Sequence, residues 1–255
     1  MSRLPHPIGF QLIGKSALVV GGSSGLGLGA AVALADAGAR VTLAARDRAR
    51  LAEVQALMHA RGWPVEIVEL DITDTVKTAA IIAAHGPFDV LVNSAGLARH
   101  APAQDTCEAD FDAVMAVNLR GAYFVTQAVA KGLIAAKRGG SLINISSQMG
   151  HVGGMDRAVY CASKFAVEGF TKAMAIDWGA HNIRVNTICP TFVKTPLTQT
   201  TFDDPDKRAW ILDKIKLGRA GEVADIMGAV VYLASEASAM VTGSALMIDG
   251  GWTAD

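Results

Sequence analysis

Tyr160 and Lys164 stand four residues apart in a segment whose apolar positions recur at helical spacing, through Val167, Phe170 and Met174. On a helix that spacing puts both side chains on one face, one turn from each other. A phenol has an ordinary pKa of about 10 and keeps its proton at neutral pH. An ammonium beside it favours the phenolate and lowers that pKa. The pair is therefore predicted to exchange a proton with a substrate oxygen near neutral pH. Ser147 follows an apolar run, Ser141 to Ile145, that reads as a buried strand. The fold would bring its hydroxyl to the same oxygen. Singly, each residue has a plainer use: a packed ring, a solvated amine, a turn-forming serine. The chemistry needs support from elsewhere in the chain.

That support is a dinucleotide site near the N-terminus. Ser16 to Val20 is a short apolar run, followed by Gly21-Gly22-Ser23-Ser24-Gly25-Leu26-Gly27-Leu28-Gly29 and an Ala/Leu/Val helix that stops at Gly38. Arg40 to Ala45 reads as the next strand. A strand, glycine turn, helix and strand of this length bind a dinucleotide. The glycines let backbone approach a pyrophosphate, and the helix start offers unpaired N–H groups. Arg46 follows Ala45, where an acid would select NAD by taking the ribose hydroxyls. A guanidinium there grips a 2′-phosphate, which favours NADP over NAD. Asp47 beside it is the residue through which a ribose contact, and hence NAD, stays open.

Gly21, Gly25 and Gly27 form G-x-x-x-G-x-G, and Tyr160 and Lys164 form Y-x-x-x-K. With these motifs the chain resembles the short-chain dehydrogenase/reductase family from about Ile13 to Trp252, and within it the 3-oxoacyl-ACP reductase and gluconate 5-dehydrogenase-like members. Val20 replaces the Thr that opens the family's glycine motif. The resemblance implies a catalytic set of Asn118, Ser147, Tyr160 and Lys164. Tyr160 is the proton donor in reduction and acceptor in oxidation. Lys164 lowers its pKa and binds the nicotinamide ribose. Ser147 holds the substrate oxygen, and Asn118, in N-x-x-G, supports a proton relay. Cofactor contacts are implied at Gly21, Ser23, Ser24, Gly25, Leu26, Gly27 and Arg46; at Asp71 and Ile72, for adenine; at Asn93, Ala95 and Gly96; and at Pro190, Val193 and Thr195, for the carboxamide. Ser94 replaces an Asn of the family's pattern and Thr191 a Gly, which leaves the turn after Pro190 open. Asp71 also suits the start of the following helix, with Thr73 as its cap.

The expected fold is α/β: a single Rossmann-type doubly wound domain, residues 13–255, with a parallel sheet of about seven strands and helices on both faces. Residues 1–12 read as a loosely held arm and 196–218 as a substrate lid. Asp105 to Ala136 reads as one long helical stretch. Phe202, Trp210, Ile211 and Ile215 pack the lid by default.

Composition sets the remaining bounds. Of 255 residues, 51% are hydrophobic, enough for a large core. A formal net charge of −1 without charged blocks argues against nucleic acid or an anionic membrane as partner. Cys107, Cys161 and Cys189 are scattered, so they read as reduced thiols, with neither a disulfide framework nor a zinc site. No metal is expected. The N-terminus lacks the apolar run of a signal peptide, and no window approaches the roughly 18 apolar residues of a membrane span. The expectation is a soluble cytoplasmic protein acting on a small molecule, and the resemblance implies a homotetramer. Arg99, His100, Gln148, His151 and Arg157 near the pocket mouth suggest a polar or acidic substrate such as a sugar, a sugar acid or an oxo acid. The contrasting class is a non-catalytic dinucleotide-binding sensor; retention of Tyr160 and Lys164 disfavours it.

Overall fold

The computed structural model describes residues 8–254. Residues 1–7 of the expected arm lie outside them. The end of the arm is tied down: Leu12 is buried, and its N–H donates to the Ala37 carbonyl at 2.8 Å.

Seven strands form one parallel sheet: β1 (Ser16–Val20), β2 (Arg40–Ala45), β3 (Val65–Glu69), β4 (Val90–Asn93), β5 (Gly140–Ile145), β6 (Ile183–Pro190) and β7 (Ala245–Ile248), in the order β3-β2-β1-β4-β5-β6-β7. Strand direction alternates side chains between faces, and β1 shows the result. Ala17 and Val19 join one core cluster, with Leu34 of α1 (Gly25–Asp36) and Val230 of α9 (Val223–Ala234). Leu18 and Val20 join the other, with Val125 of α5 (Ala122–Ala135) and Met174 of α6 (Ala158–Trp178). Both faces are covered, which is why the strands read as apolar runs.

Helix starts follow local chemistry. Asp47 caps α2 (Arg48–His59) by accepting from the Arg50 N–H, and Asp74 caps α3 (Thr75–His85) by accepting from the Lys77 N–H. The expected cap Thr73 instead donates to Asp71. The stretch expected as one helix begins later and is interrupted: α4 (Glu108–Met115) passes through a π-helical segment, Ala116–Gly121, into α5. The segment expected as a lid contains α7 (Gln199–Asp203) and α8 (Pro205–Lys214), the latter capped by Asp204 with Pro205 in the first turn. Ile211 and Ile215 are buried against Met149, Phe192 and Trp252, and Phe202 packs beside them. Trp210 is exposed, edge-on to Trp252. Phe202, Ile211 and Ile215 therefore pack as expected, while Trp210 stays largely outside. Among the described residues no helix is long and apolar enough to cross a membrane.

Candidate active site

The strand order turns back between β1 and β4, and the crevice at such a switch point is where open α/β sheets bind ligands. Here it is a cleft of about 750 Å³. Its first wall is the turn from β1 to α1. Gly21 adopts φ +77°, and a Cβ on it would lie 2.9 Å from the Ala95 nitrogen. The turn is thus pressed against the exit of β4. Ser24 starts α1 without a side-chain cap. The first-turn amides, beside Gly25 and Leu26 of the cleft wall, remain for an anion. Gly27 sits behind the wall: a Cβ there would meet the Gly21 carbonyl oxygen at 2.1 Å.

Arg46 is exposed at the exit of β2 and lines the same cleft. The neighbouring Asp47 lines the cleft as well, with its Oδ1 accepting from the Arg50 N–H as the cap of α2. Asp71 and Ile72 line the cleft after β3. Hydrogen bonds from the Thr73 N–H and hydroxyl hold the Asp71 carboxyl below its usual range.

Ala95 and Gly96 line the cleft, but Asn93 does not reach it. Asn93 is buried, and its Nδ2 donates to Asn144 Oδ1 at 3.1 Å. Asn118 is likewise set beneath the surface. Its Oδ1 accepts from the Leu97 N–H, its Nδ2 donates to the Leu97 carbonyl, both at 2.8 Å, and Nδ2 also reaches Ser163 Oγ at 3.1 Å. The π-helical segment turns this amide inward. It joins the loop after β4 to α6, the helix that carries Tyr160 and Lys164.

Ser147, Tyr160 and Lys164 line the cleft together. Lys164 is buried; its Nζ donates to the Ile145 carbonyl at 2.9 Å and lies 5.6 Å from the centre of the Tyr160 ring. Burial lowers its pKa to about 8, against the opposing pull of Cys189 and Glu168. The Tyr160 phenol departs from expectation. Burial pushes its pKa above the usual value, while Ser147, by hydrogen bonding, and Arg157, by its charge, pull it down. Helical spacing correctly joined Tyr160 and Lys164 on one face but did not carry the cost of desolvating a phenolate. Ser147 Oγ accepts from the Met149 N–H at 3.1 Å and donates to Gln148 Oε1 at 2.9 Å.

Pro190, Val193 and Thr195 line the opposite wall. Thr191 takes the place of the expected glycine without a left-handed backbone, so the turn tolerates a side chain there. Leu97, Val117, Leu197 and Thr198 also line the cleft and were not singled out in the sequence. Only their places in the loop after β4, the helix and the lid would have marked them.

Of the polar residues named for the mouth, Arg157 and His100 meet. Arg157 Nη1 contacts His100 Nε2, its guanidinium lies 5.0 Å over the Phe192 ring, and the His100 ring sits edge-on to Tyr160 at 6.0 Å. Burial and Arg157 lower the His100 pKa to about 4, so the imidazole is neutral. Among the described residues no carboxylate forms an ion pair with Arg157. Arg99 instead pairs with Asp110 at the surface. Gln148 is buried on Ser147, and His151 faces Glu168 and Cys189.

Residues 20–253 match the family model described as enoyl-(acyl carrier protein) reductase. The chain is 41% identical to D-erythrulose reductase of Gallus gallus over 244 residues, covering 94% of this chain and 96% of that one. It is 38% identical to gluconate 5-dehydrogenase of Gluconobacter oxydans, covering 98% and 99%. Its structure is similar to that of a gluconate 5-dehydrogenase from Burkholderia cenocepacia in complex with NADP and tartrate, with a TM-score of 0.93 and 35% identity over 96% of this chain and 98% of that one.

Proposed function

The chain belongs to the short-chain dehydrogenase/reductase family, and on that premise we propose that it is an NADP-dependent oxidoreductase interconverting a secondary alcohol and a ketone on a small sugar acid. The observation that carries this reading is the cleft shared by the glycine turn and by Ser147, Tyr160 and Lys164. A dinucleotide along the turn ends beside the phenol. When bound, the cofactor supplies or accepts the hydride. Tyr160 gives its proton to the carbonyl oxygen in reduction and takes it back in oxidation. Ser147, turning its hydroxyl from Gln148, donates to that oxygen as charge develops. Lys164, anchored on the Ile145 carbonyl, places its ammonium next to the phenol and the ribose. Asn118 acts through position, fixing Leu97 and α6. The exposed Tyr123 and Phe124 of α5 and Phe165 and Ile176 of α6 support the homotetramer that the family resemblance implies. The proposal is tested by following NADPH absorbance with a panel of keto sugars, keto acids and their alcohols; no turnover of any of them by folded protein that binds NADPH would overturn it.

Arg46 supports NADP, because its guanidinium lines the cleft where a 2′-phosphate would lie, while Oδ1 of Asp47 beside it caps α2. Arg46→Asp is expected to weaken NADP binding at least about tenfold, the scale of a lost charge-assisted contact, and to weaken NAD much less. Isothermal titration with each cofactor decides it, and equal losses would refute the preference.

Arg157 supports an acidic substrate: it is a part-buried guanidinium beside the phenol, with no carboxylate among the described residues in an ion pair with it. Arg157→Ala is expected to raise KM for a keto acid at least about tenfold. KM for the neutral keto sugar of the same length should change little. A uniform change for both substrates would remove Arg157 from recognition.

The direction of the Tyr160 shift sets the pH dependence. A phenol raised above its ordinary value is protonated across neutral pH, ready for reduction. Oxidation needs the phenolate, so its rate should climb from about pH 7 and still be rising at about pH 10, while reduction does not rise. Initial rates in both directions check this; a flat oxidation profile would contradict it.

A further inference from the structure

Behind the cleft, three segments bring a histidine, a carboxylate and a thiol together. His151 comes from the turn after Ser147, Glu168 from α6 and Cys189 from β6. The sulfur of Cys189 lies 3.5 Å from His151 Nε2 and 3.3 Å from Glu168 Oε1, and His151 Nε2 lies 3.7 Å from Glu168 Oε2. A tetrahedral zinc-type ion, bonded at about 2.3 Å to sulfur and about 2.0–2.1 Å to nitrogen and oxygen, spaces such ligand atoms by roughly 3.3–3.6 Å. The sulfur–nitrogen edge matches that spacing, the carboxylate presents Oε1 to the sulfur and Oε2 to the imidazole, and one ligand atom from each residue lies within 4.8 Å of the other two. We propose that His151, Glu168 and Cys189 form a binding site for one soft-to-borderline divalent cation of the zinc, cobalt or cadmium type.

Charge and access fit the same reading. Glu168 and Cys189 are buried, while the His151 side chain keeps 30% of its surface exposed, so an ion enters from the histidine side. Binding displaces the thiol proton to solvent. The resulting thiolate and the carboxylate together neutralise a dication, which removes the penalty of burying it. Thr187 Oγ1 donates to Glu168 Oε2 at 2.9 Å and orients the carboxylate from behind, as outer partners of metal ligands do. Thiolate and imidazole disfavour magnesium and calcium, which take oxygen ligands. The ligands share no short sequence spacing, so they gave no sign in the linear chain.

Glu168 stands one turn beyond Lys164 on α6. Loading would set a dication near the ammonium of the proposed reaction and slow turnover, reversibly with chelator. That last consequence rests on the proposed activity; the binding itself does not. The test is a Cd²⁺ titration of Cys107→Ser protein, which lacks the exposed thiol, followed by the ultraviolet thiolate-to-cadmium charge-transfer band. One equivalent per chain is expected, unmoved by excess Mg²⁺. Cys189→Ala should abolish the band. His151→Ala, at an exposed position where the fold is least disturbed, should weaken binding at least about tenfold. No band in the parent, a band that survives Cys189→Ala, or His151→Ala binding like the parent would each overturn the site. If the band behaves as expected but NADPH turnover is unaffected, the cation site stands and its link to the active site falls.

Discussion

Tyr160→Phe is expected to lower kcat/KM at least about a thousandfold, within the usual range for loss of a positioned proton donor. It should leave NADP binding nearly intact. The change removes one oxygen. The ring remains in its half-buried place at the edge of the cluster containing Met149, Cys161 and Phe192. The Lys164 ammonium keeps its bond to the Ile145 carbonyl. Ser147 keeps its bonds to Met149 and Gln148. What is lost is the phenol that would pass a proton to a carbonyl held by Ser147. Because burial keeps that phenol protonated, the loss should be largest in reduction near neutral pH. Melting temperature and cofactor titration should match the parent protein. Residual turnover above about a tenth of the parent would take Tyr160 out of the mechanism, whatever the cleft suggests.

Much of this arrangement was legible in the linear chain, and the reason is periodicity. Buried parallel strands read as apolar runs, and β2 came out at its observed limits, Arg40–Ala45. The interruption at Ala116–Gly121 did not, because a π-helical turn differs from an α-helical one by a single residue in spacing and has no composition of its own. Its cause is tertiary: Asn118 must reach both backbone groups of Leu97.

At the site, motif positions identified which residues matter more reliably than what each one touches. Gly27, Asn93 and Asn118 were read alongside true cleft residues, yet each lies one layer back and shapes the wall. A motif records any constraint on a position, whether contact or support. Two features were hidden for another reason. Arg157 meets His100 across 57 residues of chain, and Cys189 meets His151 across 38. Only the topology of the sheet brings such partners together. The sign of the Tyr160 shift was hidden too, since spacing on a helix reports proximity to Lys164 and says nothing of burial.

Gly27→Ala is expected to have the second largest effect, and on binding where Tyr160→Phe acts on chemistry. A Cβ on Gly27 would sit 2.1 Å from the Gly21 oxygen and 2.7 Å from its carbonyl carbon. Both contacts are backbone, so no side chain can swing aside. Gly21 itself has little freedom: it holds φ +77° and donates to the Ala44 carbonyl at 2.8 Å, and its own face is closed by Ser94 and Ala95. The methyl must push the turn outward, into the space where a pyrophosphate would lie against Ser23, Ser24 and Gly25. Forcing a methyl into a filled site costs about 1–3 kcal/mol, and if the bound state bears all of it, NADP affinity falls about tenfold to about a hundredfold. The same strain should lower the melting temperature of the free protein, because the turn is built before cofactor arrives. Calorimetric titration with NADP and a thermal melt measure the two losses separately. Parent-like affinity would show that the turn gives way without reaching the cofactor, and the pyrophosphate would then have to lie elsewhere than along α1.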